Sequence, residues 1–516
     1  MRKATLLLAA FLAACGSKTQ STASNPSADW PMYNRDYAST RFSGLTEIAA
    51  KNVTGLKPVC SYVLPEKVMF ESGLVASQGA LYFTTFEYTY AIDSATCALK
   101  WKARHELPGT PGVGSTRGVA LLDGRVFRGS ADGSVTAYDA ASGTQMWSTK
   151  IIAADSMEYI SASPIAWDGM VIIGTAGADA GNIGRIAGLD AATGRVVWSF
   201  PLIPTGTEKN AESWPQGTHL AGGSSWTSFT LDPDAGTLYA PTGNPGPDFA
   251  GTYRPGANLY SGGVVALDAK TGALRTWYQL VPHDVHDWDI AAAPVLVMTK
   301  AGQKRLMAAG KDGFLHGVDL AGGKEVWKTP VTTIANIDAP LTVAGTRFCP
   351  GTAGGVEWNG PAYSADANLV FVNSTDWCTT IKMEAKPPKF EAGKAFTGAA
   401  NGFGTMDESP KRGWVTAIDA DSGAVKWKFQ TATPMVGGLL ATASGLVMTA
   451  DLNGDFFAFD AASGNVAHKM SLGQPVGGGV ITYEQGGKQQ IALAAGLDSR
   501  IFRVMGQPTI LVYGLQ

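Results

Sequence analysis

The densest group of chemically capable side chains in this sequence lies between Pro282 and Leu296, PHDVHDWDIAAAPVL, which brings His283, Asp284, His286, Asp287 and Asp289 into one short stretch. Carboxylates at that density serve as general bases or hold a hard, oxygen-seeking cation. The two histidines suggest zinc instead, but no third nitrogen or sulfur ligand is near, so that reading is incomplete. Further polar residues stand in glycine-rich settings: Asp179 in GTAGADAGNIGRIAGLD, Asn244 in a Gly-Asn-Pro turn, Lys311 in AAGKDGFLHGVD, Arg117 in STRGVAL and Glu71 in FESG. Taken singly, each is as readily a turn residue or surface charge as part of a site.

Such residues need a scaffold, and repetition supplies one. Alternating apolar residues, then Asp, a small-residue turn ending in Gly, then Trp recur as AIDSATCALKW to Trp101, AYDAASGTQMW to Trp147, GLDAATGRVVW to Trp198, ALDAKTGALRTW to Trp277, GVDLAGGKEVW to Trp327 and AIDADSGAVKW to Trp427. A seventh copy, AFDAASGNVAH, ends in His468, and TGLKPVC places Cys60 at the Trp position of an eighth. Alternation of period two with an Asp/Gly turn describes two antiparallel strands joined tightly. The eighth copy lacks preceding strands, and those near Gly477 to Ala495 would complete it, closing a ring without free edges. The pattern predicts an all-β, eight-bladed β-propeller over residues 30–516, with the repeat tryptophans packed between blades. The long intervals 198–268 and 327–419 are rich in Gly, Pro and aromatic residues and read as loops over one face.

Composition agrees: of 516 residues, 63 are Gly, 14 are Trp and only 16% are charged, with a net charge of -3. That profile suits a turn-rich β protein and offers no basic footprint for nucleic acid. Arg2 and Lys3, the short apolar run to Ala14 and the sequence Leu12-Ala13-Ala14-Cys15 read as a lipoprotein signal peptide (1–14), with Cys15 lipidated and 15–29 a flexible tether. The protein is then expected on the periplasmic side of a bacterial membrane, held only by its lipid. Four cysteines remain, an even count that favours disulfides in an oxidising compartment. Cys60 and Cys97 occupy Trp and Gly positions of adjacent repeats and are expected to pair across the ring closure; Cys349 and Cys378 share the second long interval and are expected to brace it. There is no C-x-x-C-H, so no covalent c-type haem is expected in this chain.

Over nearly its whole length beyond the signal and tether, the chain resembles the pyrroloquinoline-quinone (PQQ)-dependent, or quinoprotein, alcohol dehydrogenases, a family that includes methanol dehydrogenases, and the membrane-bound glucose dehydrogenases resemble the same segments. The resemblance places Asp287 on the catalytic base, which is also a metal ligand, and Asp289 on the additional metal ligand of lanthanide-type members, with His286 where a Trp is usual. It places Asp179 on the acidic metal ligand, in place of a Glu, Asn244 on the metal-binding amide, and Trp226 on the ring that stacks against the quinone. Lys311 falls on the cation that contacts the quinone oxygens, Arg117 on the partner of a PQQ carboxylate, and Glu71, Ser161 and Asn373 on further polar contacts.

The implied activity is oxidation of an alcohol or aldose by hydride transfer to PQQ, assisted by a metal, with electrons passed to a separate carrier such as cytochrome c. Three carboxylates around one ion suit a trivalent lanthanide better than Ca²⁺, provided that Asp289 coordinates; an Asp289 turned to a backbone hydrogen bond leaves an ordinary Ca²⁺ site. The chain departs from the family pattern at Pro111 and Gly112, where an adjacent cysteine pair caps the quinone, at Ala176 for a serine, and at Val436 for a tryptophan. The repeat alone also fits the lipoprotein propellers that assist outer-membrane protein assembly, which makes a non-catalytic scaffold the alternative.

Overall fold

The structure is a computed structural model that describes residues 28–107, 114–153 and 156–516; Cys15, Pro111 and Gly112 lie outside them. Each repeat forms the outer half of a four-stranded antiparallel sheet. In the first blade the strands Val75–Ser77, Ala80–Thr84, Tyr88–Asp93 and Leu99–Arg104 follow one another in order. Sheets of the same order occupy residues 120–150, 165–201, 230–279, 295–330, 362–431 and 440–471. The Asp of each turn explains its place in the motif: Asp139, Asp190 and Asp268 each accept hydrogen bonds from the two backbone N–H groups that follow across the turn.

The eighth blade joins both ends of the chain. Val476–Gln485, Lys488–Ala495 and Thr509–Leu515 are completed by Leu56–Val63, which pairs antiparallel with Thr509–Leu515. The ring therefore closes by hydrogen bonds between segments more than 440 residues apart, the N-terminal strand covering what would otherwise be the open side of Thr509–Leu515.

One contact repeats between neighbouring blades. Trp101 covers Gly143, so closely that a methyl group there would come within 2.6 Å of the indole, and the indole N–H donates to the Ala140 carbonyl at 2.9 Å. Trp147 with Gly194 and Ala191, Trp198 with Gly272 and Ala269, and Trp427 with Gly464 and Ala461 repeat it, while Trp327 covers Gly423 without the N–H bond. These glycines have positive φ, as does Cys97 at the equivalent turn position (φ 58). Where the closing blade meets the first, Cys60 replaces the tryptophan and Cys97 the glycine, and a disulfide takes over the contact.

Residues 30–43 carry no repeat and lie across the innermost strands. Trp30 pairs with Ala76, the carbonyls of Tyr37, Ala38, Thr40 and Arg41 accept from Leu231, Leu296, Tyr363 and Ala441, and Phe42–Ser43 adds a parallel strand beside Ala441–Thr442. The Tyr37 hydroxyl also donates to the Ala166 carbonyl at 2.8 Å, so this strap touches the inner strands of six blades. Tyr33 fills the space beside Gly73 and Gly118, where a Cβ on Gly73 would meet its ring at 2.3 Å, and its hydroxyl lies 3.3 Å from Asn359.

The fifth blade holds a fully buried histidine. His316 sits between Asp312 (2.8 Å) and Glu325 (2.7 Å). Burial alone would lower its pKa, but the two carboxylates outweigh that and push it up to about 9. A raised histidine stabilises the fold fully below its unfolded value of about 6.5, and that contribution fades as pH rises through about 9. The stability advantage of wild type over His316→Gln is therefore expected to fall by about 1–3 kcal/mol between pH 6.5 and 9. Paired denaturant melts check this, and a pH-independent difference would contradict it.

Candidate active site

Glu71, Arg117, Ser161, Trp226, Asp289 and Glu357 each stand a few residues ahead of the innermost strand of their own blade. The ring thus turns them toward one axis, above the strap. Together with Asp179, Asn244, Asp287 and Lys311 they line a cavity of about 880 Å³. Among the residues expected at the site, Asn373 is the exception. It sits in the strand Leu369–Asp376, donates to the Gly437 carbonyl (2.9 Å) and to Thr449 (2.7 Å) of the next blade, and is not part of the cavity lining.

Trp226 forms one wall. Its carbonyl accepts from Ser161 (3.0 Å) and Arg117 (3.3 Å), and the Arg117 guanidinium lies 4.5 Å from its ring centroid and 5.2 Å from that of Trp358. Arg117 also pairs with Glu71 at 2.6 Å, both nearly inaccessible to solvent. Burial pushes the Glu71 carboxyl up, with Arg117 opposing. The cation is therefore fixed in direction before any ligand arrives. Ala176 lines the same cavity, and Val436 is buried with Trp358, Trp377 and Phe502 behind it.

The acids come from three loops. Asp179 lies in a single turn, Ala178–Ala180, flanked by left-handed Gly177 and Gly181. Asn244 starts the turn after Thr237–Thr242, with Asp248 four residues on. Asp287 adopts a left-handed backbone (φ 64), a conformation Asp tolerates better than most residues, in a loop where Asp284 accepts from the backbone N–H groups of His286 and Trp288. Carboxylate oxygens of Asp179, Asp248 and Asp287 all lie within 4.8 Å of one another. Burial, and next the charge of Asp289, push Asp179 up to about 6, with Lys311 opposing. Burial also holds Asp287 well above the usual carboxylate range.

Asp289 is engaged differently. One oxygen accepts the Asn244 backbone N–H at 2.8 Å, and the other is 2.9 Å from Lys311 Nζ. Gly243 permits this approach, since a Cβ there would lie 2.4 Å from the Asp289 carboxylate. Lys311 also reaches Asp287 at 3.4 Å and lies 5.8 Å from the Trp226 ring centroid. Burial would lower its pKa, but Asp287 and Asp289 more than offset that, so it stays protonated.

The two histidines do not converge. His283 faces the Gly256 carbonyl and Asn258, whereas His286 stacks on Trp288 (centroids 4.1 Å apart) and meets Phe348 edge-on. Among the described residues the converging ligand group is Asp179, Asp248 and Asp287, all hard oxygen donors, so the zinc reading does not hold. The second disulfide, Cys349–Cys378, braces the insertion that forms a small sheet from Thr346–Phe348, Thr379–Ile381 and Thr405–Met406 at the cavity mouth.

Sequence reasoning passed over Asp248, Glu357 and Trp358. Glu357 had a usable signal, its position just ahead of an inner strand, shared with Glu71 and Arg117. Burial pushes it up to about 7, with Lys311 opposing.

Comparison with known proteins gives a consistent result. Residues 30–344 match the family described as glucose/ethanol/alcohol dehydrogenase, PQQ β-propeller domain, and residues 411–494 match that of the outer membrane protein assembly factor BamB. A quinohemoprotein alcohol dehydrogenase of Comamonas testosteroni is 29% identical, over 91% of this chain and 72% of its own length. A quinoprotein ethanol dehydrogenase of Pseudomonas aeruginosa is 28% identical, over 89% of this chain and 84% of its own. The solved structure of the Comamonas testosteroni enzyme superposes with a TM-score of 0.85 at 26% identity, covering 95% of this chain and 80% of that one. A europium-containing methanol dehydrogenase shares the fold, with a TM-score of 0.84 at 23% identity, covering 95% and 98%.

Proposed function

Because this chain belongs to the PQQ β-propeller family of glucose, ethanol and alcohol dehydrogenases, we propose that its cavity binds PQQ and one metal ion and oxidises an alcohol. The observation that carries this reading is the meeting, on one buried cavity, of a hard-oxygen acid cluster, a protonated lysine and a tryptophan wall flanked by a fixed arginine. The residues present suit both groups. PQQ is a flat tricarboxylate, and an indole face with Arg117 and Lys311 beside it matches that shape and charge. Asp179, Asn244 and Asp287 would hold the cation; the amide nitrogen of Asn244 is engaged within its own turn, so its oxygen is the atom left for a ligand role.

PQQ bound here would supply a two-electron hydride acceptor and the cation Lewis acidity, for oxidation of an alcohol to the aldehyde or ketone. The remaining work falls to the chain. Asp287 removes the hydroxyl proton, with burial favouring its uptake and Lys311 keeping the carboxylate charge tolerable beforehand. Lys311 presents a fixed positive charge where negative charge develops. Asp289, engaged on both oxygens, holds Lys311 and the Asn244 turn in register. Met69, Ala353, Trp358, Met406 and Phe502 add an apolar wall, which favours an alcohol with a hydrocarbon chain over a sugar.

Electrons leave to a separate carrier of the cytochrome c kind. Export and anchoring through lipidated Cys15 complete the reading, and among the described residues no helix is long and apolar enough to cross a membrane.

The test is reconstitution. Chelator-treated protein given PQQ with La³⁺ or Ca²⁺ is expected to oxidise alcohols with an artificial dye as acceptor, more readily than glucose, and to lose that activity when either PQQ or metal is withheld. Absence of both a PQQ spectral change and dye reduction would leave the scaffold alternative in its place.

A further inference from the structure

Asp248 is completely buried, four residues beyond Asn244. One of its oxygens accepts from the Asn244 amide at 3.1 Å; the other has no hydrogen-bond partner. A buried carboxylate without a counter-ion is costly, and it is found only where something compensates it. No nearby cation pairs with it, and the charge of Arg254 only partly opposes the effect of burial. Lys311 pairs with Asp287 and Asp289. Arg254, fully buried beside the same turn, directs its guanidinium to the backbone carbonyls of Pro247, Asp248 and Asp284 and to the Asn258 side chain. Among the described residues Asp248 makes no salt bridge.

Arg254 therefore ties the Asp248 turn to the Asp287 loop by their backbones and leaves the Asp248 carboxylate facing Asp179 and Asp287. Oxygens on a shared cation at about 2.3–2.6 Å can be no more than about 5 Å apart, and these three lie within 4.8 Å. Asp289, the acid that family resemblance would add to the metal set, is instead occupied by a backbone N–H and a lysine.

We propose that Asp248 is a direct ligand of the metal ion, supplying the third carboxylate of the site in the place that resemblance alone would give to Asp289. This rests on the metal-dependent reading above. Three converging carboxylates, of which only Asp287 has a cation paired to it, select for charge, so a trivalent ion is held more tightly than a divalent one.

The experiment titrates Tb³⁺ and Ca²⁺ into the chelator-treated full chain without PQQ, following Tb³⁺ luminescence and the metal-induced rise in melting temperature. Asp248→Asn is expected to weaken Tb³⁺ by at least about tenfold and Ca²⁺ by less, whereas Asp289→Asn changes either by under about threefold. Removing a charge with no partner is also expected to leave the melting temperature of metal-free Asp248→Asn equal to or above wild type, which a merely structural role would not do. Asp248→Ser serves as a second variant without a carboxylate. Wild type that binds metal while Asp248→Asn binds it equally well overturns this inference alone. Wild type that binds neither ion overturns the metal-dependent reading with it.

Discussion

Asp287→Asn is expected to reduce alcohol turnover by about two to four orders of magnitude while PQQ affinity changes little. The substitution is a clean one. Asn has the same size, tolerates the left-handed backbone that Asp287 adopts (φ 64), and keeps an oxygen for the cation, so neither the loop nor the metal is displaced. What it lacks is a site for the proton. In wild type, burial makes the Asp287 carboxylate a stronger base than a surface aspartate, and Lys311 at 3.4 Å prevents it from being neutralised too early. Turnover at saturating alcohol, set against a PQQ titration of the same variant, separates loss of the base from loss of the cofactor. More than a tenth of wild-type turnover would assign the proton transfer to another group.

Arg117→Met is expected to lower stability by about 3–5 kcal/mol, because it leaves Glu71 buried without its partner. The pair is 2.6 Å apart and almost wholly enclosed, so water cannot replace the guanidinium. Burial already pushes Glu71 up, and without Arg117 only a hydrogen bond from Ser115 opposes that. A carboxyl whose folded pKa is raised costs nothing while it is protonated in both states. It costs progressively more as pH climbs above its unfolded value. The loss in Arg117→Met should therefore be small near pH 4 and grow toward pH 8. Adding Glu71→Gln should restore most of the stability at pH 8 yet leave PQQ binding as weak as in the single variant, since the anion-binding cation is still missing. Denaturant melts across pH and a PQQ titration read the two effects separately. A double variant as unstable as the single one would show that the guanidinium acts through its packing on Trp226 and Trp358.

The repeat made the blades legible because each copy carries its own physics: period-two alternation, an Asp that satisfies two turn N–H groups, a glycine that only a bare backbone suits, and an indole to cover it. The Cys60–Cys97 pair was legible for the same reason, as the two cysteines stand at the tryptophan and glycine of one such contact. The strap was not, since it binds the inner strands largely through its backbone carbonyls, which leave no trace in side-chain pattern. Asp248 sits among Gly and Pro in a segment that reads as turn chemistry, and its meeting with Asp179 and Asp287 depends on three loops from different parts of the chain. Asn373 shows a different limit. Its residue type matched a family contact, but residue type does not reveal the strand register that turns its amide N–H group to the neighbouring blade.

A ring of blades has a hub, and an open hub would make the molecule a tube. The strap makes it a cup: with Trp30 against the first blade, Tyr33 wedged beside Gly73 and Gly118, and its carbonyls bound by four further blades, the lower end of the axis is stoppered beneath the acids. Traffic is then one-way in geometry and two-way in time. Alcohol, aldehyde and displaced water would then share the doorway framed by the Cys349–Cys378 insertion, so departure of one guest would be a condition for arrival of the next.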